Sequence, residues 1–224
     1  MTCPSCGAQV PEGARFCSSC GFALAQREDD QRRVVTVLFA DLVGFTTMSE
    51  GTDPEQVKRV VDGCFEELVG VVETFGGRVD KIIGDAVLAL FGAPVGHEDD
   101  AERAVRAALR MQETLASRDT SAELQLRIGV NTGEVLVGAL RSGGDYTAMG
   151  DVVNTAQRLQ SAARPGQVLV GSATYLAAGD SITYESLGPL RVRGRGERVE
   201  AWRALDTLQP PGRRNRRVDG PLVG

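Results

Sequence analysis

Val34-Val35-Thr36-Val37-Leu38-Phe39-Ala40-Asp41 is a nearly continuous apolar run, rich in β-branched residues, that closes on a carboxylate. A run of this length and composition reads as a buried strand ending at Asp41. Working outward, Leu42-Val43-Gly44-Phe45-Thr46 reads as a glycine-containing turn into a short helix whose backbone amides could receive a phosphate group. Asp53, Pro54 and Gln56 then supply an N-cap, a first-turn proline and an N3 partner. The helix they open carries Val57, Val60, Val61, Cys64, Leu68, Val71, Val72 and Phe75 on one face and stops at Gly76-Gly77. Residues 78–83 and 86–91 read as a hairpin turning at Gly84-Asp85, so the turn presents a second carboxylate.

Glu98-Asp99-Asp100 opens a second amphipathic helix through about Arg118, with Ala101, Ala104, Val105, Ala108 and Leu115 facing inward. Residues 124–130 and 135–140 are expected to form another hairpin around Asn131-Thr132-Gly133. A helix over 152–162, a strand near Val168, a short helix near Thr174 and strands over 182–187 and 198–204 complete the pattern. Hairpins predominate among mixed elements, so the expected class is α+β with a mostly antiparallel sheet.

At 224 residues the chain accommodates one ordinary domain with short appendages. Apolar residues at 42% and charged residues at 25% are the balance of a globular protein rather than a disordered one. The formal net charge of −5 lacks the basic excess that a general nucleic-acid binder needs. No apolar run approaches the roughly 20 residues of a membrane helix, and Met1-Thr2-Cys3-Pro4 does not begin a signal peptide, so a cytoplasmic location without membrane attachment is expected. The expected organisation is a cysteine module over 1–24, a charged linker over 25–32, the main domain over 33–206 and a Pro/Arg-rich tail or linker over 207–224.

The cysteine module is Cys3-Pro4-Ser5-Cys6-Gly7 followed by Cys17-Ser18-Ser19-Cys20-Gly21. Each pair can place two thiolates on one Zn²⁺, and the glycine after each pair permits the tight turn that such a knuckle needs. Cys3, Cys6, Cys17 and Cys20 therefore read as a zinc ribbon with closed, structural ligation and an undetermined partner; a redox dithiol and free thiols are the competing readings. Cys64 and Trp202 read as packing residues, and His97 as a solvated group near a helix start.

In the main domain, Asp41 and Asp85 read in two ways. Aspartates at strand ends and turns are ordinarily caps or turn formers. If the hairpin pairs beside the first strand, however, the two carboxylates can converge on hard divalent cations such as Mg²⁺ or Mn²⁺. Asn154 and Arg158 lie one helical turn apart and share a helix face.

Residues 39–46 (Phe-Ala-Asp-Leu-Val-Gly-Phe-Thr), 81–85 (Lys-Ile-Ile-Gly-Asp) and 146–159, from Tyr146 through Gly150-Asp151 to Leu159, together resemble the class III adenylyl and guanylyl cyclases. The resemblance runs from about Arg33 to Leu205. It implies a ferredoxin-like cyclase fold acting as a head-to-tail homodimer with active sites at the interface. It also implies metal binding by Asp41 and Asp85, purine reading by Lys81 and Thr147, ribose orientation by Asn154 and transition-state stabilisation by Arg158. Phe45 and Thr46 match the turn beneath the substrate, and Arg193 and Arg195 match basic positions that contact the triphosphate. Threonine at position 147, where many adenylyl cyclases carry aspartate, resembles a subgroup of adenylyl cyclases in which bicarbonate stimulation occurs. A lysine at 81 suits a ring nitrogen of adenine, and a threonine hydroxyl can both accept and donate, so adenine is favoured without being locked in.

The expectation is an adenylate cyclase that uses two Mg²⁺ or Mn²⁺ ions per active site to turn ATP into 3′,5′-cyclic AMP and pyrophosphate. A guanylate cyclase of relaxed specificity and a non-catalytic nucleotide-binding or dimerisation module are the alternatives. Relatives with a ribbon followed by a cyclase domain often continue into a large ATPase region, so the chain is expected to be a fragment or a shortened relative.

Overall fold

The computed structural model describes residues 2–3, 5–11, 14, 16–21, 31–44, 53–118, 124–139, 146–190 and 198–208, with backbone only at 31, 54, 136–139 and 146–149. Among them the elements follow in the order β1 (Gln31–Val43), α1 (Pro54–Thr74), β2 (Arg78–Ile83), β3 (Ala86–Phe91), α2 (Asp100–Ala116), β4 (Gln125–Ala139), β5 (Tyr146–Met149), α3 (Asp151–Ala162), β6 (Val168–Gly171), α4 (Ser172–Ala178), β7 (Ile182–Leu190) and β8 (Val199–Thr207).

The strands form one sheet in the order β2-β3-β1-β4-β6-β8-β7, with β5 pairing to β4. The pairing is antiparallel except between β4 and β6. The α+β class with a mostly antiparallel sheet is therefore the observed one.

β1 is buried on both faces because helices cover both sides of the sheet. Alternate residues Leu38, Ala40 and Leu42 enter a core with Leu68 and Val72 of α1 and Ala104, Val105 and Met111 of α2. Val35, Val37 and Phe39 face the other way, against Val152 and Ala156 of α3. A fully buried Leu or Met of this kind contributes roughly 1.5–3 kcal/mol.

The local signals around α1 hold as read. Asp53 Oδ1 accepts from the Glu55 and Gln56 amides at 2.9 and 3.3 Å, and a proline opens the helix. At the far end Gly76 takes φ of 75°, its amide donates to Glu73 O, and the Gly77 amide donates to Val72 O. A Cβ on Gly77 would sit 2.5 Å from the Phe91 ring, so this glycine also gives that core side chain its room. Cys64 is fully buried, and burial pushes its thiol up. Trp202 stacks on Tyr175 at 4.5 Å, whereas the His97 side chain is about half exposed, near Asp100.

Two expectations fail. The hairpin around Asn131-Thr132-Gly133 does not exist: β4 runs unbroken through those residues, which pair with Val37, Thr36 and Val35 of β1. The polar residues that looked like a turn are satisfied inside the sheet. Thr132 Oγ1 bonds Thr36 Oγ1 at 2.8 Å and Thr174 Oγ1 at 2.9 Å. Gly133 supplies clearance rather than a turn, since a Cβ there would lie 2.8 Å from Val152. β1 likewise does not end at Asp41; pairing with the long β4 carries it from Gln31 to Val43.

Candidate active site

Asp41 lies inside β1, flanked across the sheet by Ala86 of β3 and Arg127 of β4. Cross-strand partners point to the same face, so its carboxylate shares a side of the sheet with Arg127 and with α3. Arg127 Nη2 and Gln160 Nε2 both donate to Asp41 Oδ2, the latter at 2.9 Å. Both donors hold the same carboxylate oxygen, Oδ2, and no donor to Oδ1 is found among the described residues.

The approach of α3 that makes this possible depends on Gly129 of β4. A Cβ at that position would lie 2.1 Å from Ala156 O, 2.4 Å from Gln160 N and 3.0 Å from Leu159 Cβ. With only hydrogen there, the helix backbone rests directly on the strand.

Asp85 occupies the exposed β2–β3 turn after Gly84, which takes φ of 64°. Its carbonyl accepts the Leu42 amide at 3.0 Å, so the turn is fastened to β1 immediately beside Asp41. The backbone of Asp85 is thus tied next to that of Asp41, and carboxylates on neighbouring strands are the kind of oxygen donor that a hard divalent cation takes.

Lys81 is exposed on edge strand β2, in register with Leu88, and its Nζ is 3.3 Å from Oδ2 of the buried Asp80 side chain. Thr147 lies in β5 opposite Gly138. Asn154 is exposed on α3. Arg158 is half-buried, and its Nη1 is enclosed with no hydrogen-bond partner among the described residues. Gly44, with φ of 98°, begins the expected phosphate-receiving turn, but Phe45, Thr46, Arg193 and Arg195 lie outside the described residues.

Sequence reasoning missed Arg127 and Gln160. Gln160 directly follows the 146–159 run and could have been flagged by it, but no motif adjoins Arg127, and the contact of both with Asp41 is a matter of strand register and helix packing.

The cysteine module has its own geometry. The four Sγ atoms of Cys3, Cys6, Cys17 and Cys20 all lie within 4.8 Å of one another, with Cys3–Cys20 at 3.7 Å and Cys6–Cys17 at 3.6 Å. Tetrahedral ligation with Zn–S bonds near 2.3 Å separates sulfurs by about 3.8 Å, so the set fits Zn²⁺ and is far too open for disulfides. The two halves repeat each other: the Gly7 amide donates to Cys3 O and the Gly21 amide to Cys17 O, with φ of 72° and 71° at the glycines. Backbone hydrogen bonds from Cys20 and Ser19 lower the Cys17 thiol to about 6, preparing a thiolate ligand.

Comparison with known proteins places both parts. The family described as "Adenylate and Guanylate cyclase catalytic domain" matches residues 28–203, and a zinc-ribbon domain matches residues 2–24. Adenylate cyclase 1 of Rhizobium meliloti is 31% identical over 188 residues, which is 80% of this chain but 28% of that protein's length. The crystal structure of the adenylyl cyclase CyaB from P. aeruginosa superposes with a TM-score of 0.75 at 31% identity, covering 80% of this chain and 96% of that one. The guanylyl cyclase Cya2 superposes with a TM-score of 0.74 at 34% identity, covering 81% and 96%. The match over residues 28–203, on a sheet that superposes on solved cyclases, makes this chain a member of the class III adenylate and guanylate cyclase catalytic domain family, joined to an N-terminal zinc ribbon.

Proposed function

We propose that this chain is an adenylate cyclase that converts ATP to 3′,5′-cyclic AMP and pyrophosphate, with Mg²⁺ or Mn²⁺ at Asp41 and Asp85. The observation that carries this reading is the Asp85 turn fastened by its backbone beside Asp41, whose Oδ2 is held by two donors. Two bound divalent cations supply phosphate neutralisation and a lowered pKa at the ribose 3′-hydroxyl. The 3′-oxygen attacks the α-phosphorus as the bond to the β-phosphate oxygen breaks, pyrophosphate departs with that oxygen, and the hydroxyl proton passes to solvent water.

The chain's own residues position this displacement. Asn154 orients the ribose, and Arg158 meets charge developing on the α-phosphoryl oxygens, a role in which a preorganised donor supplies roughly 3–4 kcal/mol. Lys81 donates to a ring nitrogen of adenine, and the Thr147 hydroxyl accepts from its amino group. The resemblance assigns phosphate contacts to Phe45 and Thr46 and triphosphate contacts to Arg193 and Arg195, residues outside those the structure describes.

The direction of α3 supports a homodimer with sites at the interface. Gln160 is the residue of this helix that reaches the chain's own Asp41. At 100° per residue, Asn154 and Arg158 lie about 120° and about 160° round the helix from it. They point away from that Asp41 and are placed to serve a second copy. The exposed Ile82 and Ile83 on edge strand β2 support the same arrangement.

Cyclic-nucleotide formation from ATP and from GTP, each with Mg²⁺ and with Mn²⁺, tests the reading. Formation of cyclic AMP with ATP preferred supports it, and nucleotide binding without turnover sinks it. A guanylate cyclase is the second reading, favoured by the 34% identity to Cya2. Lys81→Glu separates the two. Replacing a donor by an acceptor should shift the ATP-to-GTP ratio of kcat/KM towards GTP by about 10- to 100-fold, the worth of one charged hydrogen bond. An unchanged ratio removes Lys81 from base selection.

The ribbon carries its own prediction. Among the described residues its buried core is Cys3, Val10 and Cys17, too little apolar surface to order a module by itself. One Zn²⁺ per chain should therefore be found by elemental analysis. Chelation should collapse the amide resonances of residues 2–21 while those of the cyclase sheet persist. Persistence of ordered ribbon resonances after complete zinc loss would count against the metal.

A further inference from the structure

Gln160 is a buried polar residue whose environment leaves its amide a single useful orientation. The residue is 5% exposed, its Nε2 donates to Asp41 Oδ2 at 2.9 Å, and its Oε1 shares the Ser161 hydroxyl, at 3.2 Å, with Gln157 O, at 2.9 Å. With the acceptor end engaged by a neighbouring hydroxyl, the donor end is aimed at the carboxylate.

Arg127 reaches the same oxygen, but the two partners differ in kind. More than a third of the Arg127 side chain is exposed, so the guanidinium can leave without a burial penalty. Gln160 is fixed by the packing of α3 on Gly129. It is also neutral: it orients the carboxylate without offsetting the negative charge that attracts a cation. A buried lysine or arginine at this position would compete with the cation electrostatically, and a glutamate would repel Asp41.

We propose that Gln160 is a positioning residue for Asp41, its amide fixing the carboxylate so that one oxygen is occupied and the other is presented to the divalent cation. The inference rests on the reading of Asp41 and Asp85 as cation ligands. It gives α3 two duties, because Arg158 precedes Gln160 by two residues on the same helix, and any displacement of that helix reaches both. Hydrogen bonds from outside the ligand set commonly set metal affinity, and their loss typically costs 10- to 100-fold.

The test uses the full chain and Mn²⁺ alone, followed by electron paramagnetic resonance, with Mn²⁺-dependent cyclic-nucleotide formation as a second readout. Gln160→Met keeps the volume and removes the donor. Gln160→Asn keeps the amide but withdraws it by one methylene, about 1.5 Å, beyond reach of Asp41. Both variants should bind Mn²⁺ about tenfold more weakly and need about tenfold more Mn²⁺ for half-maximal rate. The KM for nucleotide at saturating Mn²⁺ should stay within about twofold of wild type. A residue that merely filled the core would change thermal stability and leave the Mn²⁺ dependence alone. If Gln160→Met does not fold, Gln160→Asn decides. Wild-type Mn²⁺ affinity in a folded variant overturns this inference only; a wild-type chain with no Mn²⁺ site overturns the cation reading and this inference with it.

Discussion

Asp41→Asn should lower kcat/KM for cyclic-nucleotide formation about 10³-fold, near 4 kcal/mol of lost transition-state stabilisation, with the fold intact. The substitution keeps the shape of the side chain and removes the charge that holds a divalent cation. The ion pair with Arg127 is lost as well, but that arginine is partly exposed. Its contribution to stability is about 1 kcal/mol at most, so the melting midpoint should fall by no more than about 4 °C. Activity within tenfold of wild type in the folded variant would refute the assignment of Asp41 to the cation.

The same variant tests the shared active site. Arg158→Ala should also be inactive, yet mixing it with Asp41→Asn protein creates dimers in which one site has both an intact Asp41 and an intact Arg158. Random pairing of equal amounts should restore about a quarter of wild-type activity, as two-fold related sites require. Two inactive variants that stay inactive when mixed and re-equilibrated would show that each chain supplies its own arginine.

Gly129→Ala should be the most damaging small substitution in the sheet. Its backbone is extended and paired with Phe39 and Leu169, so the requirement is one of space rather than conformation. The added methyl meets a backbone oxygen at 2.1 Å and a backbone nitrogen at 2.4 Å, which no rotamer change can move. α3 must lift off the sheet, with an expected cost of about 3 kcal/mol and a fall in melting midpoint of about 6–12 °C. Lifting the helix also separates Gln160 from Asp41, so Mn²⁺ affinity should drop at temperatures where the variant remains folded. Gly70→Ala is the matched control. That glycine is exposed in α1 with open space around it, and alanine there should stabilise by about 0.5–1 kcal/mol. Calorimetry of the two variants should therefore give shifts of opposite sign; equal shifts would mean that Gly129 has no special role in seating α3.

Much of this molecule is written locally. The apolar core of β1, the capped helix α1, the hairpin with Gly84-Asp85 at its turn and the paired cysteines all depend on residues within a few positions of one another. Periodicity, capping and turn chemistry make such elements legible. The family was legible for the same reason, because its motifs are short runs.

Where local signals competed with long-range pairing, the sequence misled. Asn131-Thr132-Gly133 has turn chemistry, yet it lies mid-strand because β1 offers thirteen consecutive partners and buried hydroxyls to satisfy Thr132. Nothing in the local composition announces that.

Local sequence therefore supplied the inventory: most of the strands and helices, the available carboxylates, lysine, asparagine and arginine, and the four thiols that can share a metal. Only the tertiary structure decided how the inventory meets. The contacts of Asp41 with Arg127 and Gln160 span 86 and 119 positions of chain. They exist because antiparallel register sets Arg127 opposite Asp41 and a missing methyl at Gly129 lets α3 settle. Register and helix seating are global minima over many weak contacts, and no short stretch of residues encodes them.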